Sequence, residues 1–251
     1  MPEPALAVDK LCKSFGGNRV TRDVNLTLAA GARHALIGPN GSGKTTLINQ
    51  ITGVVQPSSG AIRLFGMDIT ASSPERRVRL GLVRTFQINS LFVEMTVMEN
   101  VALAVVSRTK IDWHIWRKAA DAHAISACVH DVLEMIDLAD LANQKVKGLA
   151  YGKRRLVEIA LALALEPKVL LLDEPAAGLS RGETDRLLRV LQQLPKEIAI
   201  IIVEHDMDLV FQFADEITVL MEGAVLARGS VSEIRSDDRV RDTYLGRRHH
   251  D

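Results

Sequence analysis

The sequence predicts an α/β fold, in which a parallel sheet with crossover helices carries a small antiparallel β subdomain and is interrupted by an inserted α-helical subdomain. Three observations carry that prediction. After Pro167, short apolar runs alternate with amphipathic helical stretches, the pattern of parallel strands joined by crossover helices. Between Leu91 and Leu165 strand signals vanish, and apolar residues recur at helical spacing. A glycine-rich run, Gly38-Pro39-Asn40-Gly41-Ser42-Gly43-Lys44-Thr45-Thr46, stands between a short apolar segment and a helical one. That is where a phosphate-binding loop belongs.

The elements follow in order. Leu6 to Phe15 and Val24 to Leu28 flank Gly16-Gly17-Asn18, which predicts a two-stranded hairpin. Arg33 to Ile37 is a short buried strand running into the glycine loop, and Lys44 to Ile51 has helical spacing that stops at Gly53, a residue suited to the left-handed turn that ends helices. Gln56 to Gly60 reads as a turn, Ala61 to Phe65 as a strand, Pro74 to Leu80 as a basic helical turn and Leu82 to Phe86 as a strand. Helices are predicted over Val97 to Val106, Ala119 to Ile136 and Lys153 to Leu165. Then strand and helix alternate through Val169–Leu172, Arg181–Leu194, Ile198–Val203, Asp208–Ala214 and Ile217–Leu220. The implied division assigns residues 1–88 and 167–251 to an α/β core with its β subdomain, and 89–166 to the inserted helical part.

At 251 residues the chain can bury one substantial α/β core. Lys plus Arg and Asp plus Glu each total 31, so no net positive field draws it to nucleic acid or an anionic bilayer. Cys12 and Cys128 are far apart and form no metal-ligand spacing, which fits a reducing compartment. The opening MPEPALAVDKL has acids where a secretory segment would be apolar, so a cytosolic protein is expected. The longest apolar runs fall far short of the roughly 18 residues that suggest a membrane span. Any role at a membrane must come through a partner.

Gly38 to Thr45 matches G-x-x-x-x-G-K-[ST] in full. Glycines let successive N–H groups turn toward phosphate oxygens, the following helix adds its positive end, Lys44 can reach the β- and γ-phosphates, and Thr45 is placed to hold Mg²⁺. This makes a P-loop NTPase core the expected fold. The second constellation is Val169-Leu170-Leu171-Leu172-Asp173-Glu174-Pro175. Four apolar residues followed by acids describe a strand buried on both faces whose carboxyl end opens on the ligand crevice. Asp173 is expected to hold Mg²⁺ through water, and Glu174 to polarise the attacking water in phosphoryl transfer.

Just ahead of those acids stands Leu149-Ala150-Tyr151-Gly152-Lys153. With it, the chain resembles the nucleotide-binding subunits of ABC transporters over essentially its whole length. The resemblance implies ATP and Mg²⁺ as ligands, with Phe15 stacking on adenine and Gln87 touching Mg²⁺ and coupling to a membrane subunit. It makes Ala176 to Ser180 a loop crossing a dimer interface and places His205 on the γ-phosphate. Ala150, Tyr151 and Gly152 would open a helix whose N-terminus meets ATP held by a second cassette. In this reading residues 1–251 are one cassette on the cytoplasmic side of the inner membrane.

The segments RTFQ, TVMENV, LAYG, LLLDEPAAGL and VEHDMDLV are similar to cassettes of branched-chain amino acid importers. That subgroup implies two permeases, two cassettes, identical or paralogous, and a solute-binding protein. The core motifs do not set transport direction, so an export cassette is the alternative, as is a weakly hydrolysing regulatory cassette. The chain departs from the wider family where Ala150 replaces serine, Lys153 glutamine, Leu156 and Leu161 arginines, and Ser180 aspartate. Trp113 and Trp116, three residues apart beside Ile111 and Ile115, read either as core or as a face toward a membrane subunit.

Overall fold

The structure, a computed structural model, describes residues 3–85, 91–109 and 119–242. Two compact units emerge, one from Met1–Leu82, Lys168–Pro175 and Pro195–Asp251, the other from Val83–Pro167 and Ala176–Leu194.

The first unit begins with a hairpin, β1 (Leu6–Phe15) and β2 (Asn18–Leu28), in which Phe15 pairs with Asn18 across a two-residue turn. β4 (Ser59–Leu64) pairs antiparallel with β1, and β5 (Met67–Asp68) with β4, giving the order β2-β1-β4-β5. The second sheet contains β3 (Arg33–Ile37), β6 (Leu82–Arg84), β7 (Val169–Asp173), β8 (Ala199–Val203), β9 (Glu216–Met221) and β10 (Ala224–Ser230) in the order β10-β9-β3-β8-β7-β6. β3 lies parallel to both β8 and β9, and β7 parallel to β8. Four of the five β8 residues are Ile or Val and all five are buried, as a strand covered on both faces requires.

β2 starts at Asn18 rather than near Val24: Phe15, Ser14 and Lys13 of β1 pair with Asn18, Arg19 and Thr21, and Thr21 is buried, while a register shift with Asp23 at positive φ interrupts the alternation of burial before Val24. The large sheet is mixed rather than wholly parallel: β10 runs antiparallel to β9 through a turn in which Glu222 and Gly223 both have positive φ, the type I′ geometry that matches strand twist. The helix predicted after β8 is α7 (Met207–Phe213), while β5, β10 and the short helices α8 (Val231–Ser236) and α9 (Asp238–Val240) add to the predicted elements.

One apolar cluster holds the first unit together, joining Leu6, Leu11 and Leu26 of the hairpin to Leu36, Leu171 and Ile201 of the large sheet. Between them runs α1 (Lys44–Thr52), contributing Leu47, Ile48 and Ile51. α1 ends at Gly53 in the left-handed region, and its last carbonyls meet a buried cation. From α2 (Pro74–Arg79), the fully buried Arg77 donates to Gln50 O at 2.7 Å, Ile51 O at 2.6 Å, Thr70 O at 2.8 Å and Ser72 O at 3.1 Å.

β3 also carries a buried histidine. His34 Nε2 lies 2.9 Å from Thr218 Oγ1 and Nδ1 lies 3.3 Å from Glu216 Oε2, while Glu216 is clamped by Arg228 through two 2.8 Å hydrogen bonds. Burial pushes the His34 pKa down to about 4, against the pull of Glu216. Glu216 sits below the usual carboxylate range mainly through its hydrogen bond with Arg228. Since an unfolded histidine titrates near 6.5, the unfolded chain binds the extra proton first, so stability is full above that value and falls with pH until it levels off below about 4. On the order of 2 kcal/mol should be lost between pH 7 and pH 5 through this group. Urea unfolding of the wild type and of His34→Gln checks this: the variant should show a flatter pH dependence over that window, and equal slopes would contradict the assignment.

The second unit is helical. α3 (Val97–Thr109), α4 (Ala119–Met135), α5 (Tyr151–Leu163) and α6 (Arg181–Gln193) supply it. α5 is buried continuously from Leu156 to Leu163, including Glu158, whose carboxylate meets Arg155 at 2.7 Å. α6 buries only Leu187, Leu188, Val190 and Leu191, the spacing of one helical face. Trp113 and Trp116 lie outside the described residues.

Candidate nucleotide-binding site

The glycine loop turns sharply as it leaves β3. Gly38 has φ 151°, and a Cβ there would stand 2.1 Å from Leu220 O; at Gly43, φ 98°, it would stand 2.7 Å from Val20 O. Only glycine fits either position. Ser42 N donates to Pro39 O at 3.2 Å, and Gly223 N donates to Ser42 O at 3.0 Å. The loop is thus braced from the β9–β10 turn. α1 opens on Gly43 with no side chain capping it, so its first amides are left for a ligand. The buried Ser42 hydroxyl has no hydrogen-bond partner among the described residues. Asn40 and Gly41 face solvent, Thr45 is exposed on the first turn of α1, and Pro39 and Thr46 are partly covered.

Lys44 Nζ donates to Gly38 O at 2.8 Å and Pro39 O at 3.0 Å. Burial lowers its pKa, while Glu174 and then Asp173 pull it back up. The ammonium therefore lies within the electrostatic reach of both carboxylates. A phosphate, being a charged acceptor, competes well with the two loop carbonyls for it.

Strand order explains that proximity. β8 lies between β3 and β7, so the glycine loop, His205 and the acids all follow the carboxyl ends of three neighbouring strands. This is the side on which open α/β sheets bind ligands. Asp173, the last residue of β7, pairs with Val203 of β8 and is partly buried. Glu174 is exposed, and its N–H donates to Val203 O at 2.8 Å. Its φ of 45° is unusual for a residue with a side chain and costs on the order of 1 kcal/mol. The strain turns the chain out of the strand direction where the second carboxylate begins.

His205 is exposed, whereas Glu204 before it is almost fully buried. Glu204 Oε2 accepts from His205 N at 3.0 Å and lies 3.8 Å from His205 Nδ1. Sequence reasoning passed over Glu204; the signal was an acid adjoining the histidine at a strand end. Phe15 ends β1 with 52% of its surface exposed. Gln87 lies outside the described residues.

The remaining candidates belong to the second unit. Ala150 is the N-cap of α5, with no side-chain hydrogen bond. Tyr151 OH donates to Ala177 O at 3.2 Å. Gly152 is buried, and a Cβ there would stand 2.5 Å from Glu183 Oε1. Glu183 accepts from Ser180 N at 2.9 Å and Ser180 Oγ at 2.7 Å. These bonds, with one from the Gly152 amide, hold its pKa below the usual carboxylate value.

Among the described residues, no group of three or more His, Cys, Asp and Glu side chains forms a metal centre. The hydroxyl of Thr45 and carboxylate of Asp173 are nonetheless hard oxygen donors, and Mg²⁺ typically uses one or two carboxylates with substrate phosphates and water.

A braced glycine loop, a lysine within the electrostatic reach of two carboxylates and a histidine just past the intervening strand define a nucleoside-triphosphate-binding protein of the P-loop class. Residues 21–177 match the ABC transporter family, and the chain belongs to that family. It is 39% identical to the high-affinity branched-chain amino acid transport ATP-binding protein BraF of Pseudomonas aeruginosa, across 98% of this chain and 99% of that protein. With LivG of Escherichia coli, which carries the same description, identity is 38% over the same shares. A solved ATP-binding cassette of an ABC transporter in its ADP conformation superposes with a TM-score of 0.83 at 31% identity, covering 97% of this chain and 99% of the other. No helix among the described residues is long and apolar enough to cross a membrane.

Proposed function

We propose that this chain is the ATP-binding and ATP-hydrolysing subunit of an ABC importer that powers uptake of branched-chain amino acids or related small polar solutes. The convergence of the glycine loop, Asp173-Glu174 and His205 on adjoining strand ends carries the catalytic part of this reading. Near full-length similarity to BraF and LivG supports the transport part. Residues 1–251 act as one cassette, with 1–88 and 167–251 as its core and 89–166 as its helical subdomain.

In this reading the loop from Gly38 to Thr46 and the N-terminus of α1 receive the phosphates, Lys44 moves from its loop carbonyls to the β- and γ-oxygens, and Phe15 takes the base. Thr45, Asp173 and Gln87 would hold Mg²⁺, which when bound screens charge on the β- and γ-phosphates. Glu174 accepts the proton of the attacking water, and His205 donates to the γ-phosphate. Ala150, Tyr151 and Gly152 serve the ATP of a second cassette, identical or paralogous. Two permeases and a solute-binding protein complete the importer, with the chain peripheral on the cytoplasmic face of the inner membrane.

The test is ATP-driven uptake in proteoliposomes containing the permeases, the binding protein and this chain as the cassette. Leucine, isoleucine or valine should enter only with ATP on the cassette side, and Lys44→Ala should reduce both uptake and hydrolysis to background. Uptake that persists in Lys44→Ala, or ATP-driven export, would overturn the proposal.

A further inference from the structure

The end of the first hairpin is held at a fixed place relative to the glycine-loop helix. Gln50 of α1, fully buried, accepts from Thr21 Oγ1 of β2 at 3.0 Å and donates through Nε2 to Cys12 O of β1 at 3.1 Å. Ser58 N donates to the same carbonyl at 2.8 Å, and Ser14 N donates to Ser58 Oγ at 3.1 Å. Val55 N returns to Asn49 O of α1 at 3.0 Å. The strand that ends in Phe15 is therefore tied to the helix that begins with Lys44.

Lys13 adds the last link. Its ammonium donates to Gln56 O at 2.7 Å and stands 5.0 Å from the centroid of the Phe15 ring. One anchor thus holds the charge over one ring face, where the quadrupole of the aromatic attracts it. With the ammonium over one face, Phe15 still keeps about half of its surface exposed to a ligand. A ligand held at the glycine loop by its phosphates meets the ring as an intramolecular second contact, whose strength depends on how well the platform is held in place.

We propose that Lys13 is a positioning residue for the nucleobase, acting through Phe15: pinned by the Gln56 carbonyl, it fixes the ring so that its exposed surface receives the base of a triphosphate bound at the glycine loop. The inference rests on the reading of Phe15 as the base platform. Its reach is limited to the base end, so it predicts a difference between ligands that a general loss of folding would not produce.

The probes are ATP and ribose 5′-triphosphate, which has the phosphates and sugar but no base, titrated calorimetrically into the purified full-length chain. Lys13→Met should weaken ATP about two- to fivefold, the range of an exposed cation–aromatic contact, and leave ribose 5′-triphosphate unchanged. Lys13→Arg should restore ATP affinity. Phe15→Ala should weaken ATP about fivefold or more. If Phe15→Ala weakens ATP selectively while Lys13→Met does not, the positioning role is overturned and the platform reading stands. If Phe15→Ala leaves ATP affinity intact, the platform reading falls and the inference with it. Equal weakening of both probes by Lys13→Met would assign Lys13 a general structural role and likewise overturn the proposal.

Discussion

Glu174→Gln is expected to lower the rate of ATP hydrolysis by about 10²- to 10⁴-fold, the usual worth of a positioned general base, while ATP affinity stays within a few fold of wild type. The amide nearly matches the carboxylate in shape, so the Glu174 N–H to Val203 O bond and the positive-φ turn remain available to the variant. What disappears is the acceptor proposed for the proton of the attacking water. Lys44 also loses the larger of two attractions that raise its pKa, with Asp173 remaining. Some change in affinity follows from that loss, but exchanging one carboxylate oxygen for an amide nitrogen leaves the glycine loop untouched. Single-turnover hydrolysis measured beside ATP binding separates the effects. With hydrolysis blocked and binding intact, ATP should hold two cassettes together as a dimer or, with a paralogous partner, a heterodimer detectable by light scattering. Hydrolysis within tenfold of wild type would remove Glu174 from the role of base.

The glycine loop and its flanks were legible because their signals are local. Arg33–Ile37 is apolar enough to be a strand, Gly53 stops the helix, and the loop between needs glycine for backbone reasons visible in composition. β10 was missed although Glu222-Gly223 marks a two-residue turn, because the following Ala224–Ser230 contains small and polar residues and lies at a sheet edge with little burial. Arg77 and Glu204 were missed for a different reason. Each is a charged residue in a sequence that gives no cue to burial, and each becomes informative only when tertiary structure removes it from solvent.

Structure also alters the weight of three departures from the wider family. Ser180 occupies the N-cap of α6 and bonds the Glu183 carboxylate; serine and aspartate fill that position about equally well. Leu156 and Leu161 are buried in the second unit, where an apolar side chain carries none of the desolvation cost of a guanidinium. None of the three therefore implies a weakened fold.

Arg77→Met should destabilise the first unit by about 3–5 kcal/mol, since a buried acceptor left without its donor costs about 1–3 kcal/mol and four carbonyls lose theirs, against the guanidinium desolvation that the variant recovers. The competing terms can be weighed. Burying a guanidinium is expensive, and burial indeed lowers the Arg77 pKa, with Asp68 the charge opposing that shift. Against this stand four carbonyl acceptors, two of them at the negative end of α1. Hydrogen bonds to a charged donor contribute about 1.5–3 kcal/mol each, so even the lower value over four contacts exceeds a desolvation penalty of several kcal/mol. Methionine preserves much of the apolar stem but leaves those carbonyls without the fork that joins α1 to the segment before α2. Arg77→Lys should recover only part of the loss, because an ammonium offers three donors from one atom and cannot span the same four acceptors. Urea unfolding followed by far-UV circular dichroism tests the order wild type, Lys, Met. A stability change below 1 kcal/mol in Arg77→Met would show that desolvation cancels the hydrogen bonds, and that the C-terminus of the nucleotide-loop helix is held by apolar packing instead.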